Sequence, residues 1–264
     1  MHLTEGLIET CDEDLPNLIT HVETTTAPEV DGAVTPRIHQ ALQAQDLLPG
    51  VNTGTHLVDS GYLDADLMAR SRRDYNVDLL GPTLANRHWQ AQEAGGFDQS
   101  RFRIDWDRQQ ATCPLGKQST AWSSMKDRHG SRVIKVIFST RDCASCPSRD
   151  RCVRSSQKVI RRGLLLRERE AYEALQAGRA REQTEEYQRD YRRRAGIEGS
   201  LSRAVRRCGL RRARYNGLVK VHLGNLLTAA ALNLVRLVEW LDGTAKPKTR
   251  ISAFSRLIGP CLPA

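Results

Sequence analysis

The chain has 264 residues, a formal net charge of +9 and 39% hydrophobic residues, a composition typical of a globular protein with an ordinary apolar core. Residues 1–100 carry 5 of the 40 Lys and Arg residues but 16 of the 31 Asp and Glu residues. The remaining 35 basic and 15 acidic residues lie after residue 100. This basic C-terminal part favours a polyanionic partner. We expect that partner to be nucleic acid, because arginine outnumbers lysine and its planar fork matches phosphate oxygens.

The same sequence argues against secretion and against a membrane span. The stretch "MHLTEGLIETCDEDLPNL" has no basic start followed by an apolar run, so no signal peptide is expected. The apolar stretch 218–241 contains Lys, His, Asn, Arg and Glu residues and predicts a well-buried helix of a cytoplasmic, nucleoid-associated protein. In a reducing cytoplasm, the seven cysteines favour metal binding over disulfides.

The first 83 residues alternate between strand and helix patterns. "LITHVETTT" predicts a strand, and residues 34–50 predict a helix with Thr35 as N-cap and Pro36 at the first helical position. "HLVD" then predicts a strand, "DADLMARSRR" a helix and "VDLLGPT" another strand. This alternation predicts a largely parallel α/β sheet.

The periodicity changes after residue 83. Short strands ("FRIDWD", "RVIKVIF") alternate with cysteine-bearing loops up to residue 165, and residues 166–194 are charged and helical. A further helix carries Glu198, "CGLRRARYNG" reads as a basic loop, and the apolar helix follows. We therefore divide the chain into a core segment (1–83), a cysteine-rich insertion (84–165), a helical part of the core (166–242) and a basic tail (243–264).

Asp59 is the first candidate functional residue. It follows the apolar strand "HLVD" and precedes a Ser-Gly turn, so its carboxylate is expected at the carboxyl edge of the sheet, where α/β proteins bind ligands. The alternative is that Asp59 only caps the next turn.

The second candidate is the spacing Tyr191, Arg194, Glu198, which places three side chains on one helical face. Glu198 is the single acid among nine arginines in residues 191–217. If that face meets the sheet edge, Glu198 and Asp59 can share a divalent metal while Arg194 and Tyr191 touch a phosphate. The alternative is a solvated basic helix with an incidental glutamate.

Four cysteines form the third candidate. Cys113, Cys143, Cys146 and Cys152 follow the spacing C-x29-C-x2-C-x5-C, which suits a structural zinc site made of four thiolates. Such a site would stabilise an insertion with too little apolar content to build its own core. His129 could replace one cysteine, and free thiols are the alternative.

With these residues in hand, the chain resembles the DDE-class transposases of bacterial insertion sequences, and most of all the subgroup with a cysteine-bearing insertion. The resemblance rests on stretches that occur in order across most of the chain: "HLTE…TC", "LITHVETT", "HLVDSGY", "CPLG", "CASCPSRDRC", "RAGIEGSLSRAVRRCGLRRARYNGL" and "ALNLVRL".

The resemblance implies an RNase H-like core, a mixed sheet with flanking helices, in which three acids bind two Mg²⁺ (or Mn²⁺) ions for attack on phosphodiesters. Asp59 matches the second acid and Glu198 the third, while Tyr191 and Arg194 match the family's Y-x2-R-x3-E-x6-K signature. Val205 stands at the position of the lysine. The implied partner is double-stranded DNA at transposon ends and targets. The DNA-contacting residues expected are Tyr191, Arg194, Arg203, Arg206, Arg207, Arg211, Arg212 and Arg214.

The first acid has no convincing match. In the family it lies on a strand upstream of "HLTE", and Asp12, Asp14 and Asp31 fall in loops or turns. The chain is therefore expected to hold an incomplete core, to be inactive alone, and to act with a full-length transposase or with itself. The alternatives are a non-catalytic, zinc-stabilised DNA-binding module or regulatory remnant, and an unfolded relic.

Overall fold

The computed structural model describes residues 3–12, 14–26, 29–48, 54–128, 130–154 and 160–244. The chain forms two compact units: the first is Met1–Leu48 with Gln188–Ala264, and the second is Pro49–Tyr187. The predicted segment 1–83 thus contributes to both units. Most of the predicted basic tail lies outside the described residues. His129, the predicted replacement for one cysteine in a metal site, also lies outside them.

The described N-terminal part of the first unit contains two strands and one helix. Strands β1 (Leu3–Glu9) and β2 (Ile19–Thr26) pair antiparallel, and helix α1 (Asp31–Ala44) follows them. The second unit follows along the chain. Its strands are β3 (Gly54–Leu57), β4 (Val77–Leu80), β5 (Arg103–Asp105), β6 (Gln110–Thr112), β7 (Ser119–Lys126), β8 (Arg132–Phe138) and β9 (Gly163–Arg167).

The helices of the second unit are α2 (Ala65–Tyr75), α3 (Trp89–Gln92), α4 (Thr140–Ala144) and α5 (Arg169–Glu182). Helix α6 (Glu185–Arg192) spans the residue at which the chain returns to the first unit. The first unit then continues with α7 (Ala195–Arg203), a π-helical turn (Ala204–Cys208) and α8 (Leu218–Leu241).

The expectation of a largely parallel sheet is wrong for the described residues. Their strands form small separate sheets, of which β3–β4 is parallel and β1–β2, β5–β6 and β7–β8–β9 are antiparallel. The parallel pair is the one whose strands are joined through a helix, α2, which provides the crossover that a parallel pair requires. The protein is therefore mixed α/β.

Helix α1 lies in the region predicted, but both of its ends differ from the prediction of residues 34–50. It begins at Asp31 with Val30 as N-cap and ends at Ala44. Thr35 is buried inside the helix instead of capping it, and Pro36 also lies inside. The earlier start places the carboxylate of Asp31 in the first turn, where it is favourable to the helix dipole.

In the first unit, α8 packs on β2. Val221, Asn225, Ala229 and Leu232 are its buried residues, and the last two join Ile19 in an apolar cluster. The bounds of α8 match the predicted 218–241, but the expectation of a well-buried helix is wrong. Many of its large apolar side chains are exposed, for example Val219 at 82% and Leu241 at 74%.

In the second unit, the strand–helix–strand segment is fixed by caps and by a close backbone approach. The carboxylate of Asp64 accepts a hydrogen bond from the Leu67 amide at 2.8 Å and begins α2. At Gly81, an added Cβ would lie 2.5 Å from the carbonyl oxygen of Val58. Only glycine permits this approach, which keeps the two segments that follow β3 and β4 together.

The cysteine-rich region has its own apolar core, contrary to expectation. Phe102 and Phe138 contact each other with ring centroids 5.5 Å apart and are buried with Val136 and Leu166. The apolar residues come from several short strands that are far apart in sequence, among them "RVIKVIF" and "GLLLR". Their pairing brings together an apolar core that no single strand could provide.

Candidate functional site

Arg194 connects the other two residues of the predicted motif. Its guanidinium lies 6.0 Å from the centre of the Tyr191 ring and donates to Oε1 of Glu198 at 3.2 Å. Tyr191 is in α6 and Glu198 is in the first turn of α7, so the three side chains meet across the break between the two helices. The arrangement holds one exposed carboxylate, 69% accessible, beside an arginine that is only 23% accessible.

Helix α7 is held in place from its other side. Ser200 lies two residues beyond Glu198 and is buried; its Oγ donates to the carboxylate of Glu9 at 2.5 Å. Arg236 of α8 contacts Glu9 at 3.1 Å and also donates to Ser200 and to the carbonyl oxygen of Asn17. Residues two apart on a helix point in nearly opposite directions, so this buried anchor leaves Glu198 facing outward.

The segment after α7 is a concentrated patch of positive charge. Among the described residues, five of its arginines form no ion pair with any carboxylate, and all five are exposed. The π-helical turn ends at Gly209, whose φ of +67° is unfavourable for other residues, and the loop then turns toward α8. We call these five side chains the arginine patch: Arg206, Arg207, Arg211, Arg212 and Arg214.

Arg203 and Val205 lie in the same segment but do not belong to the arginine patch. Arg203 donates to Glu239 of α8 at 3.2 Å and is 24% accessible, so its guanidinium stabilises the first unit itself. Val205 packs against the apolar cluster beneath the turn. Arg206 is exposed at the next position and donates its Nε to the Ser202 carbonyl oxygen at 3.3 Å.

Asp59 lies where the sequence placed it, just after β3. The Val58 amide bonds the Leu80 carbonyl at 2.9 Å and extends the parallel pair up to that point. The Asp59 carboxylate is exposed, and its Oδ1 accepts a hydrogen bond from the Ser60 amide at 2.9 Å. The capping interpretation is therefore confirmed, and the capped turn directly follows the carboxyl end of a parallel pair, an edge at which α/β proteins bind ligands.

Asp59 belongs to the second unit and Glu198 to the first. Among the described residues, no three His, Cys, Asp or Glu side chains converge closely enough to hold a metal ion. The pairing of Asp59 with Glu198 on a metal stays a prediction.

The four cysteines of the insertion line one cavity of about 150 Å³. All four are reduced and partly buried. Backbone amides donate to two of the sulfurs: Lys117 to Cys113 at 3.3 Å and Arg162 to Cys143 at 3.4 Å. Such N–H···S contacts stabilise a thiolate, because they place positive charge density next to the sulfur.

The surroundings of these thiols resemble a zinc site in chemistry but not in convergence. Burial raises the pKa of the Cys143 thiol and raises that of Cys152 to about 11, which keeps both protonated at neutral pH without a cation. The Nε of Arg162 is buried without a hydrogen-bond partner beside them. Donor number and a nearby cation fit a Zn(Cys)₄ dianion, whereas within the described part of the chain no three such side chains are arranged to hold a metal ion.

The second unit carries a further cationic surface that was not predicted from the sequence. An open groove of about 500 Å³ is lined by four basic and two acidic side chains: Arg70 and Arg73 from α2, Lys126 and Arg132 on either side of the β7–β8 turn, and Asp66 and Glu168. The spacing of Arg70 and Arg73 places them on one helical face, which was a visible signal. Nothing in the sequence showed that the hairpin would meet this helix.

Comparison with protein families found that residues 112–238 match the model described as "Transposase DDE domain". The match covers slightly less than half of the chain and supports a DDE transposase. It includes the cysteine region, Glu198 and the arginine patch, whereas Asp59 precedes it. Comparisons with curated proteins and with solved structures each found no match.

Proposed function

We propose that this chain is part of the catalytic region of a DDE transposase of a bacterial insertion sequence, and that Asp59 and Glu198 are two of its metal ligands. The observation that carries the proposal is the exposed Glu198 beside Arg194, within a segment similar to a transposase DDE domain. A lone carboxylate between arginines would otherwise weaken phosphate binding. Its presence is explained if it binds a cation that contacts the same phosphodiester.

The chemistry implied is metal-assisted attack on a phosphodiester. Mg²⁺ prefers carboxylate oxygens and substrate phosphates, and Asp59 and Glu198 supply exposed carboxylates. The arginine patch would hold the DNA backbone, since its guanidiniums have no carboxylate partners among the described residues. Tyr191 and Arg194 would position Glu198 and contact the phosphate next to the metal.

The reaction takes a third carboxylate that we do not assign in this sequence. The carboxylate of Asp12 accepts hydrogen bonds from the Asp14 and Leu15 amides and fixes a turn. Glu9 is neutralised by Arg236 in the interior. We therefore expect cleavage only when another chain or segment supplies the missing acid, and weak Mg²⁺ binding otherwise.

Iron-directed cleavage of the protein tests the shared site without requiring DNA chemistry. Fe²⁺ replaces Mg²⁺ at carboxylate sites and, with ascorbate and peroxide, cuts the polypeptide near its ligands. We expect cuts near residues 59 and 198, both suppressed by excess Mg²⁺ and both lost in Glu198→Gln. The matched control is Glu185→Gln, an exposed glutamate on the preceding helix.

Two results would contradict the proposal. One is a cut near residue 59 that persists unchanged in Glu198→Gln, which would show that the two acids do not share a cation. The other is the absence of any Mg²⁺-suppressible cut near either residue in the folded protein.

A second candidate function is DNA binding without catalysis, and the cationic groove of the second unit favours it. Its border residues Arg70, Arg73, Lys126 and Arg132 need no metal to contact phosphates. Under this alternative, duplex binding is unaffected by Mg²⁺ and by Glu198→Gln, while Arg70→Gln with Arg132→Gln weakens it. Under the catalytic proposal, Mg²⁺ strengthens binding, and Glu198→Gln removes that effect.

We also propose that Cys113, Cys143, Cys146 and Cys152 hold a structural Zn²⁺. Their common cavity and the unpartnered Nε of Arg162 support the proposal. Zinc would require side-chain positions in which the four sulfurs converge. The ion would stabilise the cysteine region and would take no part in DNA cleavage.

A further inference from the structure

Helix α8 has two apolar faces, and one of them is unpartnered. The face toward β2 carries Val221, Asn225, Ala229 and Leu232, all buried. On the outer face, apolar residues recur with alternating spacings of four and three residues. We call this row the leucine seam: Leu223, Leu227, Ala230, Leu234, Leu237 and Leu241.

The seam is well exposed. Leu223 is 56%, Leu227 64%, Leu234 65% and Leu241 74% accessible, Ala230 is exposed, and Leu237 is partly buried. A spacing of four and three residues repeated over most of a helix is the pattern by which two helices pack side by side. A core helix needs only one such row, and the inner face of α8 already provides it.

The polar residues of α8 do not interrupt the seam. Asn233 exchanges hydrogen bonds of 2.8 Å with the backbone of Ile19, and Asn225 donates to Thr24 at 3.1 Å. Arg236 is engaged with Glu9 on the inner side. These three polar side chains are thus directed inward, which leaves the seam free for an apolar partner.

We propose that the leucine seam binds the same helix of a second copy of this chain, in antiparallel orientation. The alternation of spacings reads the same from either end, so antiparallel pairing matches Leu223 with Leu241, Leu227 with Leu237 and Ala230 with Leu234. Every layer then joins a larger to an equal or smaller side chain, which is compatible with close packing.

Charge at the helix ends favours this orientation over the parallel one. Lys220 is exposed near the N-terminal end and Asp242 is exposed just past the C-terminal end. Antiparallel pairing brings Lys220 of one copy toward the end that carries Asp242 of the other, and it also opposes the two helix dipoles. Parallel pairing would place Lys220 beside Lys220 and Asp242 beside Asp242.

The area involved predicts a weak dimer. Seven large side chains on or next to the seam are exposed: Val219, Leu223, Leu226, Leu227, Leu234, Val238 and Leu241. If each loses on the order of 60 Å² of apolar surface, they bury roughly 400 Å² per copy. The total of roughly 800 Å² lies in the range of weak, transient interfaces. We therefore expect a dissociation constant on the order of 10 µM.

Sedimentation velocity from about 1 to about 200 µM tests the proposal, since it spans that constant. We expect a shift from monomer to dimer that is abolished in Leu227→Glu and in Leu234→Glu. The matched control is Leu84→Glu, which alters a leucine of similar exposure, 61%, in the second unit. Circular dichroism checks that each variant is folded.

Orientation is tested by mixing Leu223→Cys with Leu241→Cys protein under mild oxidation and identifying disulfide-linked peptides by mass spectrometry. Antiparallel pairing predicts 223–241 links between chains, whereas 223–223 links would overturn the orientation. A monomer across the whole range would overturn the proposal, and so would a dimer that survives both glutamate variants.

A membrane surface is the competing occupant, because α8 is long and apolar enough to span a bilayer. Co-flotation of wild-type protein with phosphatidylcholine vesicles, lost in Leu227→Glu while the protein stays monomeric without vesicles, would overturn the dimer in favour of the membrane. This proposal does not depend on the proposed function, since dimerisation is measured without DNA or metal.

Discussion

Arg236 and Glu9 form a buried ion pair that joins α8 to the end of β1, with 3.1 Å between their charged groups. Their side chains are 13% and 6% accessible. Ser200 completes the network by bonding the same carboxylate. The pair therefore fixes the position of α7, and with it the direction in which Glu198 faces.

Breaking this pair should destabilise the protein strongly. In Arg236→Met the Glu9 carboxylate stays buried without its cation, a situation that typically costs about 3–5 kcal/mol. The free energy of unfolding from urea titration measures the loss. Arg206→Met is the control, because Arg206 is exposed and forms no ion pair with a described residue, and it should change stability by less than about 0.5 kcal/mol. Equal effects in the two variants would show that the pair has no structural role.

The arginine patch should determine the salt dependence of DNA binding. Each lost phosphate contact makes the plot of log K against log salt concentration less steep by about 0.9. We expect Arg211→Gln with Arg212→Gln to reduce the slope by about 1.8 for any duplex sequence. Fluorescence anisotropy at several salt concentrations measures it.

Arg203→Gln is the informative control for that experiment. Since Arg203 is engaged with Glu239, its loss should leave the slope unchanged and lower stability slightly, by up to about 1 kcal/mol. A slope that changes as much in Arg203→Gln as in the double variant would contradict the assignment of this arginine to the interior of its unit.

Zinc content tests the cysteine cavity. We expect protein purified without chelator to contain about one zinc per chain and to lose thermal stability in the presence of EDTA. Cys146→Ser should lower both the zinc content and the response to EDTA. Cys208→Ser is the control, because Cys208 lies in the other unit, in the π-helical turn. Zinc-free protein with unchanged stability would favour free thiols.

His56 should make the protein sensitive to mild acid. Burial lowers the pKa of His56 below its ordinary value of 6.5, so the unfolded chain binds a proton at a higher pH than the folded one. Stability contributed by the neutral imidazole is complete above the unfolded pKa and is lost as the pH falls below about 6.5.

Urea titrations between about pH 7.5 and 5 measure this effect as the difference between wild type and His56→Gln. We expect the variant to lose less stability on acidification than the wild type does. The control is His88→Gln, which changes an exposed histidine in the same unit. Parallel pH profiles for wild type and His56→Gln would contradict the prediction.

The sequence predicted those parts of the fold whose signals are local. The bounds of α8, the strand "RVIKVIF" and the helix predicted from "DADLMARSRR" follow from periodicity in short stretches of sequence. Strands β1, β6, β7 and β9 were missed. They are short or polar on one side, and their pairing depends on partners that are distant in sequence.

The same difference between local signals and contacts with distant residues applies to the candidate site. The contacts of Arg194 with Tyr191 and Glu198 were expected from one helical face, but the structure breaks the helix between Arg192 and Ala195 and makes the contacts across that break. The inward role of Arg203 was not expected, since it depends on a glutamate 36 residues later in α8. Likewise, two apolar faces on one helix cannot be told apart by composition, and the expectation of a well-buried α8 failed for that reason.

The π-helical turn after α7 has a consequence for how motifs of this kind are measured. Its hydrogen bonds span one residue more than those of an α-helix, so each residue advances less around the axis. The signature spacing of seven residues from Glu198 ends at Val205, and it assumes a regular α-helix throughout. Only the first two residues of the turn lie within this distance, so the wider winding shifts the direction of residue 205 by less than one residue, and Val205 packs against the apolar cluster. The seven-residue spacing thus ends at an inward-facing valine, and the next residue, Arg206, is an exposed cation.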